Sequence, residues 1–275
     1  MNGVGPERLS LNTATVRAQW DLAQCIEGCA RHGIGGISPW RDKLHEMGVE
    51  AAAKAIRAAG LRVSGLCRGG WFTSTGAVDK NVIEDNRRAV DEAAALEADC
   101  LVMVVGGLPE GSRDLPKAWA LVEEGLEKTL DYARTQGVKI AIEPLHPMYA
   151  ADRACVNTLG QALDICDRLG EGIGCAVDVY HVWWDPDLEA QLERAGMARI
   201  MAFHLCDWLV PTRDLLNDRG MMGDGVIDLP RLRALVEKNG FEGLNEVEIF
   251  STENWWKRDG DDVLATMVER GRTVC

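Results

Sequence analysis

No stretch of this sequence comes near the ~18 uninterrupted apolar residues of a membrane span, so the chain is not expected to cross a membrane. The opening segment, Met-Asn-Gly-Val-Gly-Pro-Glu-Arg, lacks the apolar centre of a secretory signal. The nine cysteines are odd in number and irregularly spaced, and no Cys-x-x-Cys pair occurs. That pattern argues against a disulfide framework and for buried, reduced thiols in a cytoplasmic protein. Positive charge is in deficit: 30 Lys and Arg against 43 Asp and Glu give a net charge of −13. An acidic surface repels phosphate backbones, which removes nucleic acid as a partner. The first strand–turn region has no Gly-x-Gly-x-x-Gly, and no Gly-x-x-x-x-Gly-Lys-[Ser/Thr] occurs anywhere. A dinucleotide or P-loop site therefore has no support.

What the chain does have is alternation. Hydrophobic residues make up 47% and charged residues 27%, enough for a large core. Short apolar runs predict strands over residues 9–16, 35–38, 61–67, 100–105, 139–143, 174–178, 200–205 and 243–250. Between them lie helical stripes. The first carries Leu22, Cys25, Ile26 and Cys29 and ends at Gly33, and the second runs over 43–59 to Gly60. Others are expected over 82–98, from about Pro116, after a Thr158 cap, over 187–195, after an Asp228 cap, and over 261–270. Eight βα units without a linker fit one closed (β/α)8 TIM barrel over residues 1–275 better than an open sheet. The longest strand-to-helix connections, 144–157, 179–186, 206–227 and 251–260, fall in the second half. Barrel active sites sit on the face such loops build, and 206–227 is long enough for a lid or clamp.

Four successive late strands end in a side chain able to bind metal. Glu143 closes Lys-Ile-Ala-Ile-Glu, Asp178 closes Gly-Cys-Ala-Val-Asp, His204 follows Ile-Met-Ala-Phe, and Glu248 ends Gly-Leu-Asn-Glu-Val-Glu. Three carboxylates and one imidazole suit one hard divalent ion, Mn²⁺ ahead of Mg²⁺ or Co²⁺, over a thiolate-loving one. Glu246 shares a strand face with Glu248, since residues two apart point the same way. Glu248 lies nearer the C-terminal end and is preferred as the ligand. His181, three residues after Asp178, is placed to hydrogen-bond a substrate oxygen, and Arg219, in a glycine-rich loop, is placed to reach back over the site. Asp207 and His146 are expected to support the ligands from behind. Trp40 with Arg41, and Arg68 with Trp71, are expected as walls of the mouth. His32 and His45 read as structural. Trp183, Trp184, Trp255 and Trp256 fit a pocket lining or a subunit contact, and a homo-oligomer is an open option.

These segments resemble the xylose isomerase-like TIM-barrel superfamily of sugar isomerases and epimerases, which includes ketose 3-epimerases and inosose isomerases and dehydratases. The matching pieces are Ile-Ala-Ile-Glu143-Pro-Leu, Val-Asp178-Val-Tyr-His181, Phe-His204-Leu-Cys-Asp207, Arg219 with Gly-Asp-Gly-Val-Ile-Asp228, and Val-Glu248-Ile-Phe-Ser. The resemblance implies that Glu143, Asp178, His204 and Glu248 hold one divalent metal. It also implies that Glu143 and Glu248 act as acid and base about a cis-enediolate, with His181 and Arg219 on substrate oxygens. A ketose, inosose or keto-sugar is the implied substrate, and with no phosphate cradle visible a free polyol or sugar is expected over a sugar phosphate. A lyase or dehydratase using the same enolate is the alternative. An abasic-site endonuclease is a remote one, because such a site wants a histidine-rich cluster and this chain has five histidines. A binding barrel without catalysis would not need all four ligands.

Overall fold

The computed structural model describes residues 3–275, so the first two residues of the opening segment lie outside it. The strands are β1 Leu9–Asn12, β2 Gly36–Ser38, β3 Arg62–Val63, β4 Leu66–Gly70, β5 Leu101–Val104, β6 Ile140–Ile142, β7 Ile173–Asp178, β8 Ile200–Leu205, β9 Asp207–Trp208, β10 Arg219–Gly220 and β11 Asn245–Val247. The helices are α1 Leu22–His32, α2 Arg41–Met47, α3 Val49–Ala58, α4 Lys80–Ala95, α5 Leu115–Gln136, α6 Leu159–Leu169, α7 Val179–Val182, α8 Leu188–Arg199, α9 Leu229–Lys238 and α10 Gly260–Thr273. Nine strands pair in the order β3-β2-β1-β11-β8-β7-β6-β5-β4, all parallel. The two end members, β3 and β4, are consecutive pieces of one chain segment, so the sheet closes on itself as a (β/α)8 barrel. A further parallel pairing of Trp40 with Cys67 knits that seam.

Local chemistry sets the element ends. Asp21 and Thr158 open α1 and α6 with reciprocal caps to Gln24 and Gln161, which satisfy otherwise orphaned backbone donors. Asp228 caps α9 and Asp114 caps α5, each with proline in the first turn. The apolar stripes bury against the barrel and form one continuous core between helices and sheet. Inside the barrel a small layer of Cys67, Cys100, Val102, Ala141, Ala176 and Ala202 fills the lumen. All nine cysteines are buried and unpaired. Among the described residues no helix is long and apolar enough to cross a membrane.

Four elements depart from the periodicity. The run over 9–16 stops being a strand at Asn12, whose side chain accepts the Ala14 N–H at 3.0 Å and turns the chain into a 3₁₀ helix, Thr13–Val16. The run over 61–67 splits in two. Ser64 N–H still bonds Ile37 on one side at 3.2 Å, whereas Leu66 N–H bonds Cys100 on the other at 3.0 Å. The helix over 43–59 breaks at Gly48, whose φ of 88° lies in the left-handed region that favours glycine. Finally, the connection 206–227 is not an open loop. It carries the antiparallel pair β9 and β10, and the Asp207 carboxylate gathers the N–H groups of Gly223, Gly225 and Ile227 at 2.8–3.0 Å.

Candidate metal centre and active site

At the C-terminal mouth of the barrel, Glu143, Asp178, His204 and Glu248 converge. Each offers one ligand atom, and the four atoms lie within 4.8 Å of one another. The strand register does this: Asp178 ends β7 directly beside His204 on β8, and β11 runs beside β8 with Glu246 opposite His204. Asp178 and His204 are fully enclosed, and Glu143 and Glu248 are 6% and 4% exposed. Glu143 Oε1 lies 3.1 Å from His204 Nδ1.

Beneath this set lies a polar layer unusual for a barrel lumen, which branched apolar residues normally fill. Glu246 accepts from Asn12 Nδ2 at 2.7 Å and from Ser64 Oγ at 2.7 Å, and Ser64 in turn meets Ser10 at 2.7 Å. The same Asn12 amide donates to Glu248 Oε1 at 3.0 Å. His204 Nε2 is buried without a hydrogen bond, 3.5 Å from Glu246 Oε1. Glu246 thus sits one layer below Glu248, behind the imidazole, where a carboxylate fixes the tautomer of a metal-binding histidine.

Electrostatics show what the set lacks. Four buried carboxylates, Glu143, Asp178, Glu246 and Glu248, share one buried guanidinium, Arg219, so that with all four ionised negative charge is in excess even with His204 protonated. Arg219 Nη1 donates to Asp178 Oδ2 at 2.9 Å and to Glu248 Oε2 at 3.2 Å. Burial, with the nearby Glu143 charge and against Arg219, pushes the Glu248 carboxyl up to about 8. Burial opposes charging His204, but Glu246, Glu143 and Glu248 outweigh it and hold the imidazole well above its ordinary range. An enclosed, hard donor set with uncompensated negative charge fits a divalent cation.

Around the set opens a cavity of about 230 Å³. That is below the roughly 300–1,000 Å³ of drug-sized sites, and so suited to one small ring. Trp40, Arg68, His181, Arg219, Glu143 and Glu248 all line it. Burial holds the His181 imidazole down at about 3, so it is neutral. Its Nδ1 receives the His146 backbone N–H at 3.2 Å, and its Nε2 lies 3.2 Å from Arg219 Nη2. Both neighbours are donors, whereas a neutral imidazole has one acceptor nitrogen. The amide is fixed by the backbone, so Nδ1 accepts there and Nε2 carries the hydrogen.

His146 therefore acts on His181 through its backbone, and its ring caps Met148 N–H at 3.2 Å. The Asp207 carboxylate hydrogen-bonds backbone N–H groups of the connection 206–227 that carries Arg219, and not the four converging residues. Trp256 lines the cavity, Trp255 is buried, Trp183 stacks near Trp208 at 5.7 Å, and Trp184 donates to the His181 carbonyl at 2.8 Å. His32 and His45 pair with Asp261 and Glu92 on the helical shell. Sequence reasoning did not single out Asn12, Ser64, Tyr149 and Arg153. Asn12 was legible in principle as a polar residue closing an apolar strand, whereas the others are brought in by bends.

A closed barrel with a charged mouth of this kind defines a class of α/β enzyme-like scaffolds. The family model described as the xylose isomerase-like TIM barrel matches residues 26–266, and the chain belongs to that family. Protein SMc04130 of Sinorhizobium meliloti 1021 has a crystal structure 59% identical in sequence, with a TM-score of 0.95 over 98% of both chains. An inosose isomerase of Bacillus velezensis is 25% identical over 97% of this chain and 96% of its own length. Another, of Halalkalibacterium halodurans, is 29% identical over 51% of this chain, and the match spans about half of that relative, 49%. The IolI protein, solved with a bound zinc atom, superposes with a TM-score of 0.80 at 21% identity over 98% of this chain and 100% of its own, a likeness of fold.

Proposed function

We propose that this chain, a single domain over residues 1–275, is a metal-dependent sugar isomerase or epimerase that moves a proton at a carbon beside a carbonyl. The convergence of four ligand atoms within 4.8 Å at the floor of a small cavity carries the reading. The full-length similarity to an inosose isomerase supports the substrate class, a ketose, inosose or keto-sugar. Glu143, Asp178, His204 and Glu248 would hold the ion, and the hard donor set favours Mn²⁺. Bound there, a divalent ion supplies Lewis acidity to a carbonyl and a neighbouring hydroxyl.

The chain's own residues supply the rest. Glu143 reaches the cavity from the end of β6 and Glu248 from the end of β11. One carboxylate takes the proton from carbon and the other returns one. Glu248 is oriented by Asn12 on one oxygen and Arg219 on the other. His181 and Arg219 line the cavity beside Glu143 and Glu248, and their N–H donors would hydrogen-bond a substrate oxygen there and favour negative charge on it. Trp40, Phe250 and Trp256 wall the cavity and keep water from the acidified carbon. The buried, unpaired thiols fit a cytoplasmic protein.

The test incubates metal-stripped protein with Mn²⁺ and a panel of ketoses, inososes and 3-keto-glycosides in D₂O. The expected result is deuterium at the α-carbon of an epimerised or isomerised product with no loss of water. A dehydrated or cleaved product would make the chain a lyase. No exchange with any of them, and no metal binding, would sink the enzymatic reading.

A further inference from the structure

Four arginines line the cavity, in a chain whose net charge is −13. Two are committed: Arg219 to Asp178 and Glu248, and Arg17 to Asp42 at 2.6 Å. The other two, Arg68 and Arg153, make no ion pair and no side-chain hydrogen bond with any described residue. Elsewhere among the described residues the unpaired arginines, Arg8, Arg113 and Arg272, are exposed and solvated, whereas Arg68 and Arg153 are half-buried in the cavity wall.

The guanidiniums are held by aromatic faces and not by acids. Arg68 lies between Trp71 at 4.7 Å and Trp40 at 5.5 Å, and Arg153 lies 5.7 Å from the Tyr149 ring. Stacking fixes a guanidinium's plane and leaves its N–H edge free. Trp71, whose φ is 60°, presents its indole to Arg68. Burial pulls Arg68 below its ordinary range, and the like charge of Arg153 pushes the same way. Two like charges in one small cavity, each with unused donors, await an anion.

We propose that the substrate carries a fixed oxyanion, a carboxylate or a phosphate ester, which Arg68 and Arg153 bind at the wall while the ring's oxygens reach the acidic floor. This rests on the cavity being the substrate site and narrows the substrate from a neutral sugar to an acidic one. Each guanidinium presents a planar fork to such a group, which a neutral hydroxyl cannot match.

The experiment follows quenching of tryptophan fluorescence, since Trp40 and Trp256 line the cavity, by D-glucose, D-glucuronate and D-glucose 6-phosphate. It uses both metal-stripped and Mn²⁺-loaded protein. The expected result is at least one anion binding ~10-fold or more tightly than glucose, a preference that shrinks as salt is raised. The preferred anion identifies a carboxylate or a phosphate. In R68Q/R153Q the preference should fall to within about twofold, with glucose affinity little changed, and R68K/R153K should retain only part of it, because an ammonium keeps the charge but neither the fork nor the stacking. If the double glutamine variant does not fold, R153Q alone must lower the preference at least about threefold. Equal binding of all three probes, no binding of either anion, or a preference that survives R68Q/R153Q would overturn the proposal. Because no turnover is measured, an isomerase reading that fails leaves this test intact.

Discussion

The two halves of the barrel mouth are built differently. At or just past the ends of β6, β7, β8 and β11 stand Glu143, Asp178, His204 and Glu248, all buried, with one ligand atom from each within 4.8 Å of the others. The rest of the mouth, at or just past the ends of β1, β2 and on β4, presents Asn12, Trp40 and Arg68, neutral or cationic groups: Asn12 accepts from the Trp40 indole N–H at 2.9 Å, and the Arg68 guanidinium lies over the Trp40 ring. The difference is one of electrostatic purpose. The first half gathers negative charge that the protein alone does not neutralise, and the second supplies hydrogen-bond donors and positive charge facing it. A ligand that bridges the two halves meets an acidic floor and a basic wall; three variants probe that division, and a fourth, on the helical shell, is a control.

The largest effect is expected from Asp178→Asn. Asparagine keeps the size and the cap that Asp178 gives Tyr180 N–H at 2.8 Å, so the backbone should survive. Loss of one ligand charge should lower kcat/KM by more than ~10³-fold, beyond the roughly 10–100-fold expected for a residue that only supports a ligand. Steady-state kinetics on the substrate identified by deuterium exchange would check it. Glu246→Gln comes next. It leaves all four ligands in place but weakens the carboxylate behind His204, so Mn²⁺ affinity should fall by roughly 10–100-fold, read by calorimetry. A loss as large as that for Asp178→Asn would promote Glu246 to ligand and blur the layered picture. R68Q/R153Q should leave metal affinity within about twofold and remove roughly tenfold of anion preference, about 1.4 kcal/mol. Smallest is Gly48→Ala, on the helical shell. An added Cβ meets nothing within 4 Å, so only the positive φ resists it. It should cost about 1 kcal/mol, or a Tm decrease of about 2–4 °C, with turnover unaffected.

The same division explains what the sequence made legible. On the acidic side each functional residue ends or directly follows a regular apolar strand, so position in the chain translates into position at the mouth. Thr158, Asp228 and Gly33 likewise mark helix ends by local chemistry alone. On the other side the chain bends before it delivers its side chains. Asn12 turns β1 into a 3₁₀ helix, Ser64 and Gly65 divide the third barrel strand, and Gly48 splits α2 from α3. None of those bends has a hydrophobic period. Glu246 shows the limit most plainly. Its strand face was readable, but its depth, one layer below Glu248 and behind His204, follows from parallel register and closure that no single segment encodes. The His181 tautomer is similarly invisible in sequence, because it depends on the backbone amide of His146, 35 residues away.

The central claim, that four residues from four strands hold one divalent ion, is tested most directly by titrating the metal-stripped protein with Mn²⁺ and counting ions bound per chain. The account predicts one tight site in the wild type and its loss in Asp178→Asn. A wild type that binds no ion stoichiometrically, or an Asp178→Asn variant that binds as tightly as the wild type, would contradict it.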